Sequence, residues 1–344
     1  MSVRVGINGF GRIGRLALRA MRHRYPNEIE VAAINDIADL ETNAHLFTYD
    51  SNYGTYAGTV ETRDGTLIVD GHEIAVFSER EPAAIPWSRV GVQIVVESTG
   101  RFTAAEKARG HLHGGARKVV ISAPAKGEDI TVNMGVNHEL YDPAQHTIVS
   151  NGSCTTNGLS VTAKVLSRRF GIRAGHMTTV HSYTNTQRIL DVVGEDLREA
   201  RAAALNIIPA STGAARAIFL VLPELKGKLT GIALRVPTPT VSIVDLTVDL
   251  ETPASAEEIN AAFREAAEGE MKGYLGFSDR PLVSMDFKGD SRSGVVDGPL
   301  TQVIGGSLAK VMTWYDNEWG YACRIADLVH YMAVREQAPT SAAR

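Results

Sequence analysis

Val3-Arg4-Val5-Gly6-Ile7-Asn8-Gly9-Phe10-Gly11-Arg12-Ile13-Gly14 decides the fold. Val3 to Ile7 is a short apolar strand, and a glycine turn follows it at once. From Arg15 to Arg24, Leu16, Leu18, Ala20 and Met21 recur at helical spacing. Strand, glycine turn and helix together are the context that a dinucleotide-binding fingerprint demands. Gly9 permits the tight turn, Gly11 lets a pyrophosphate approach the backbone, and Gly14 lets helix and strand pack closely. The phosphates then rest on the helix N-terminus.

The motif alone is weak, so its surroundings matter. A second strand, Ile29 to Ile34, ends in Asn35-Asp36. A carboxylate there hydrogen-bonds the adenine-ribose hydroxyls and repels a 2′-phosphate, which favours NAD over NADP. The competing reading of Asp36 is a cap for a helix starting near Asp39. Further β-branched runs at Thr66–Val69, Ile74–Phe77, Val92–Val96 and Lys118–Ile121 read as strands. The turns Glu97-Ser98-Thr99-Gly100 and Ser122-Ala123-Pro124 fall at strand ends, where a doubly wound sheet binds its ligand.

The bulk numbers agree. A chain of 344 residues suits two domains, and 44 % apolar with 22 % charged residues is ordinary globular composition. A net charge of −4 gives no basic face for nucleic acid. No apolar run approaches membrane-spanning length, and no charged leader precedes Val3. Two cysteines, far apart, argue against a disulfide framework or a metal cage. The expectations are a cytoplasmic protein, no metal, no nucleic-acid partner and no membrane.

Ser153-Cys154-Thr155-Thr156-Asn157 holds one of those cysteines. Asn133–Asn137 and Ile148–Gly152 upstream read as strand and loop, and Leu159 to Phe170 as a helix. Cys154 is then expected at a helix start, where the dipole makes a thiol lose its proton more readily. A buried apolar cysteine would not need four polar neighbours. Met177 to Thr184 reads as a β-branched strand carrying His181. Alone, His181 would be a structural histidine, but an activated cysteine needs a base.

Arg188 to Ile208 reads as a long loop with one helical turn, of the functional or interfacial kind. Pro209 to Ala215 opens a helix running to Leu222, and its Ser211-Thr212 start suits either a cap or a phosphate cradle. Gly231–Val236 and Val241–Leu250 are strands, the second alternating as in an antiparallel sheet. Arg235, inside an apolar strand, needs a structural carboxylate or a substrate phosphate. Ser255–Glu268 is a helix, Leu308–Trp314 a last strand, Gly320–Val334 a C-terminal helix, and Gln337–Arg344 a disordered tail. The fold class is α/β: a Rossmann-type doubly wound domain plus an α+β domain with a mostly antiparallel sheet.

These residues resemble the phosphorylating glyceraldehyde-3-phosphate dehydrogenases from Val3 to about Met332. The markers are Gly6 to Arg15, Ser153 to Asn157, Ser211 to Ala215, Leu234 to Pro239 and Trp314 to Tyr321. The resemblance implies an NAD-binding domain over 1–153 and a catalytic domain over 154–319, with a C-terminal helix, 320–336, packing back on the first. It implies oxidation of glyceraldehyde 3-phosphate to 1,3-bisphosphoglycerate with NAD and inorganic phosphate. Cys154 is then the nucleophile, and His181 both its ion-pair partner and the base. Gly9, Gly11, Arg12, Ile13, Asp36, Arg80, Ser122 and Asn317 hold the cofactor. Ser153, Thr155, Thr212 and Gly213 hold the incoming phosphate, and Thr184 and Arg235 the substrate phosphate. The loop from Arg188 implies a homotetramer.

Departures from the family pattern are Gly158, where many members carry a second cysteine, and Thr186, Glu199 and Val192-Val193. Glu199 is expected to weaken the incoming-phosphate site, and Val192-Val193 tempers the preference for NAD. Gly158 is expected to weaken the helix start and to make Cys154 more tolerant of oxidants or bulky electrophiles. The rival readings are an erythrose-4-phosphate dehydrogenase, against which Thr212 to Ala215 stand intact, and a non-catalytic NAD-binding scaffold, against which Cys154 and His181 stand. A second role in binding RNA or host proteins finds no basic patch.

Overall fold

The structure is a computed structural model that describes residues 2–337; of the expected disordered tail, Gln337 instead ends the C-terminal helix, and the residues after it lie outside the described residues. The chain divides into two compact units. The first comprises residues up to Val132, His138–Gly152 and the stretch from Ala322; the second comprises Asn133–Asn137 and Ser153–Tyr321.

In the first unit the elements are β1 (Val3–Asn8), α1 (Arg12–Arg24), β2 (Ile29–Asn35), α2 (Leu40–Thr48), β3 (Val60–Arg63), β4 (Thr66–Val69), β5 (His72–Phe77), β6 (Ile94–Glu97), α3 (Ala105–Ala108), α4 (Gly110–His113), β7 (Lys118–Ile121), β8 (Ile130–Thr131) and β9 (Ile148–Ser150). They form a nine-stranded sheet in the order β3-β4-β5-β2-β1-β6-β7-β9-β8. From β5 to β9 every pairing is parallel, with β1 between β2 and β6, so the strand order reverses there. Val5 and Ile7 of β1 and Val95 and Val96 of β6 are fully buried, as strands covered on both faces require. At the edge, Asp64-Gly65 and Asp70-Gly71 all take positive φ and make two tight hairpin turns. The strand expected at Val92 begins at Ile94, because Gly91 first closes a turn in left-handed geometry. Asn133–Asn137 is a turn closed by Asn137 Oδ1 on the Asn133 amide, not a strand.

The second unit holds α5 (Cys154–Phe170), β10 (Ile172–Ser182), β11 (Ile208–Ser211), α6 (Ala214–Ala217), β12 (Leu229–Val236), β13 (Ser242–Leu250), α7 (Ala256–Glu268), β14 (Leu275–Ser278), β15 (Gly294–Asp297), β16 (Gln302–Ile304) and β17 (Leu308–Tyr315). Helix α8 (Trp319–Gln337) starts here and belongs to the first unit from Ala322 on. The sheet runs β11-β12-β10-β13-β17-β15-β14, with β16 on β17. Only β10–β12 and β14–β15 are parallel. Leu159, Val165 and Leu166 of α5 pack with Val244, Leu246 and Val311 of the sheet in one apolar core. A capping box of Ser255 and Glu258 starts α7.

One expected helix is corrected. Pro209 to Ser211 is strand β11, paired with β12, and the helix that follows is a single turn, Ala214–Ala217, before a 3-10 turn. The pairing partner on β12 overrides local preference. The segment 183–207 carries no helix; a lone bridge between Arg188 and Ala202 pins it.

Candidate active site

In the first unit, Gly9, Gly11, Asp36 and Arg80 line a pocket of about 240 Å³ with Asn8, Ser98 and Thr99. It lies at the carboxyl ends of β1, β2 and β6. The three glycines have separate reasons. Gly9 has φ +87, and a Cβ on it would fall 2.7 Å from the Thr99 nitrogen. A Cβ on Gly14 would fall 2.1 Å from the Gly9 carbonyl oxygen, so α1 can pack only on a glycine. A Cβ on Gly11 would meet nothing, which leaves the open side of the turn for a ligand. This cradle fits a dinucleotide pyrophosphate at the start of α1.

Asp36 is not a helix cap; Asp39 caps α2. Its carboxylate accepts from the amides of Phe10 and Ala38, at 2.7 and 2.9 Å, and so lies across the glycine turn. Arg12 is held by Asp50 at 2.5 Å, Ile13 is in the first turn of α1, and the Ser122 amide donates to Glu97 O.

A buried polar chain underlies the pocket. Trp87 Nε1 donates to His111 Nδ1, which puts the ring proton on Nε2, donating to Glu97 at 3.0 Å. Glu97 also accepts from Asn8 Nδ2, and Asn8 Oδ1 accepts from Asn35 Nδ2. Asn35 Oδ1 then accepts the Glu79 amide. Pairing of Asn8 with both Asn35 and Glu97 in the sheet register aligns these side chains.

In the second unit, Ser153 caps α5, its Oγ accepting the Thr156 amide at 2.9 Å. That places Cys154 at the first position of a 17-residue helix. Cys154 Sγ lies 3.5 Å from His181 Nε2. Arg235 pairs with His181 across β10–β12, and its Nη1 stands 2.6 Å from His181 Nδ1. Among the described residues no carboxylate meets Arg235; Nη1 also donates to Ser182 O, and the buried Nε has no partner there. The cation is therefore available to an anion.

Burial opposes the expected activation. Desolvation raises the Cys154 thiol, and the Arg235 charge and Thr155 only offset part of that rise. Burial, then Arg235, lowers His181 to about 3. Each group alone therefore stays neutral, and an ion pair needs a further charge to balance Arg235.

Tyr315, missed from sequence, ties the elements that carry Cys154 and His181. Its hydroxyl bonds Thr155 of α5 at 2.9 Å and Thr179 of β10 at 2.8 Å. Asn317 Oδ1 accepts from Ser182 and Ser242. Polar residues at buried strand positions were the available signal for Thr179, Ser182 and Ser242. Thr184 and Thr186 hydroxyls are 3.2 Å apart, and Thr212 Oγ1 accepts the Ala214 amide, with Gly213 before the single turn of α6. Gly158 has a packing reason: a Cβ there would sit 3.3 Å from Ser293 O and from the Tyr315 ring.

Two family models match the chain: Glyceraldehyde 3-phosphate dehydrogenase, NAD binding domain, over residues 3–105, and Glyceraldehyde 3-phosphate dehydrogenase, C-terminal domain, over residues 153–317. The chain is 57 % identical over 329 residues to glyceraldehyde-3-phosphate dehydrogenase 1 of Bacillus cereus, covering 96 % of this chain and 98 % of that one. It is 57 % identical over 333 residues to the glyceraldehyde-3-phosphate dehydrogenase of Geobacillus stearothermophilus, covering 97 % and 99 %. Glyceraldehyde-3-phosphate dehydrogenase 1 of Bacillus subtilis is 56 % identical over 333 residues, with the same coverage.

Proposed function

The chain belongs to the glyceraldehyde-3-phosphate dehydrogenase family, and on that footing we propose its chemistry. It is an NAD-dependent oxidoreductase that converts glyceraldehyde 3-phosphate and inorganic phosphate to 1,3-bisphosphoglycerate, a glycolytic step. Cys154 Sγ adds to the aldehyde carbon, and His181 Nε2, 3.5 Å away, takes the hydroxyl proton of the thiohemiacetal, in the tautomer whose Nδ1 proton is donated to Ser182 O at 2.7 Å. NAD, when bound, supplies the hydride acceptor. Inorganic phosphate then attacks the Cys154 thioester, and the thiolate leaves.

The reading assigns Arg235 and Thr184 to the substrate phosphate, and Ser153, Thr155, Thr212 and Gly213 to the incoming one. Gly9, Gly11, Arg12, Ile13, Asp36, Arg80, Ser122 and Asn317 hold NAD. Residues 1–153 form the NAD-binding domain, with 320–336 returning to it, and 154–319 the catalytic domain. A cytoplasmic homotetramer is part of the same proposal. Its support is the apolar surface of segment 183–207, where Val193 is 100 % and Ile189 86 % exposed.

The observation that carries the chemistry is the Cys154–His181–Arg235 line. Cys154→Ser is expected to abolish NAD reduction with glyceraldehyde 3-phosphate while NAD binding, followed by fluorescence titration, stays near the native value. Substantial turnover in that variant would rule out covalent catalysis at Cys154.

A further inference from the structure

Asn317 takes both its hydrogen bonds on one atom. Oδ1 accepts from Ser182 Oγ at 2.9 Å and from Ser242 Oγ at 3.0 Å. Ser182 is 0 % and Ser242 1 % exposed. The Ser182 hydroxyl has no other acceptor among the described residues. The Ser242 oxygen also accepts the Ser182 amide and interacts with the Tyr315 hydroxyl, so the Ser182 hydroxyl is the donor that holds Asn317 Oδ1 in place. If the Asn317 amide flipped, the Ser182 proton would be stranded in a buried site, a penalty on the order of tenfold or more in population.

The backbone around this amide is fixed as well. Asp316 Oδ1 accepts from the amides of Glu318 and Trp319, at 3.0 and 2.9 Å, and Oδ2 from the amide of Gly289 at 2.8 Å. Asn317 Nδ2 bonds no described residue and is not among the enclosed polar atoms, so its hydrogens face outward.

We propose that Ser182 and Ser242 are positioning residues that lock Asn317 as a donor, so that it selects cofactors by a carbonyl oxygen on the pyridine ring. The inference rests on the reading above that Asn317 meets the nicotinamide. It predicts that the amide NH₂ of nicotinamide is dispensable and that its carbonyl is not. With the lock removed, the carboxamide loses its fixed orientation, and with it the ring loses its preferred face.

Calorimetric titration of NAD, ADP-ribose and 3-acetylpyridine adenine dinucleotide tests this, together with the face of the ring deuterated by 1-deuterio-aldehyde. The native protein is expected to bind NAD and the acetylpyridine analogue within about threefold of each other. Asn317→Asp keeps both serine bonds but turns an acceptor outward. It should weaken both pyridine ligands by roughly tenfold while ADP-ribose is unchanged. The pair Ser182→Ala with Ser242→Ala should lower the NAD to ADP-ribose affinity ratio and spread deuterium over both faces. If that pair fails to fold, Ser182→Ala alone should show the same loss in smaller measure. Retained single-face transfer with an unchanged ratio would overturn the proposal, as would an analogue bound tenfold worse than NAD. Failure of the underlying reading would show separately, as an Asn317→Asp protein that binds NAD and the acetylpyridine analogue as tightly as the native one.

Discussion

His181 is pressed from two sides, by the Cys154 sulfur at Nε2 and the Arg235 cation at Nδ1. Burial first, and Arg235 second, bring it down to about 3. The folded protein thus keeps the ring neutral where an unfolded chain protonates it, below about 6.5. Its contribution to stability is complete above that pH and is lost as pH falls toward 3, by about 1.4 kcal/mol per pH unit within the window. Urea unfolding between pH 7 and pH 4 should show a shallower loss for His181→Asn than for the native chain; equal slopes would count against a neutral buried ring. Arg235→Gln removes the second cause, so the imidazole should titrate at higher pH by NMR. Cys154 and His181 were legible in sequence because their motifs are local. The contact between Arg235 and His181 was not, since it depends on the parallel register of two distant strands. The rise of the thiol was not either, because burial is a property of the whole packed core.

Among the elements, the glycine turn and α1 give the sharpest contrast. Gly14→Ala would drive a Cβ to 2.1 Å from the Gly9 carbonyl oxygen, and should cost about 1–3 kcal/mol or more in unfolding free energy. Gly11→Ala meets open space and should leave stability within about 1 kcal/mol while weakening NAD. If both behave alike in thermal unfolding, the separate reasons for these glycines are wrong. At α5, a Cβ on Gly158 would sit at 3.3 Å from Ser293 O and the Tyr315 ring, so Gly158→Cys should lower stability before it changes thiol chemistry. Inactivation of Cys154 by peroxide and by an epoxide, compared in both proteins, then tests whether the missing thiol matters; equal rates would say it does not. Apolar β-branched runs made most strands readable. Pro209 to Ser211 escaped because only its pairing with β12 makes it a strand.

For the whole molecule, the doubly wound sheet followed from one turn and one carboxylate, and its reversal at β1 is where the pocket lies. The apolar side chains of segment 183–207, with Val193 fully exposed, carry the proposal of a tetramer. Val193→Asp with Leu197→Asp should shift the assembly to smaller species by light scattering, and an unchanged mass would remove this segment from the interface. The chain from Trp87 through His111, Glu97, Asn8 and Asn35 to Glu79 joins the ends of β6, β1 and β2. Each link spends a donor or acceptor that its neighbour relies on, so changes along it cannot be independent. The floor of the pocket is therefore an epistatic block: Asn8→Ala and Asn35→Ala together should cost less than the sum of the two alone. A descendant of this sequence that altered one link would have to alter the next.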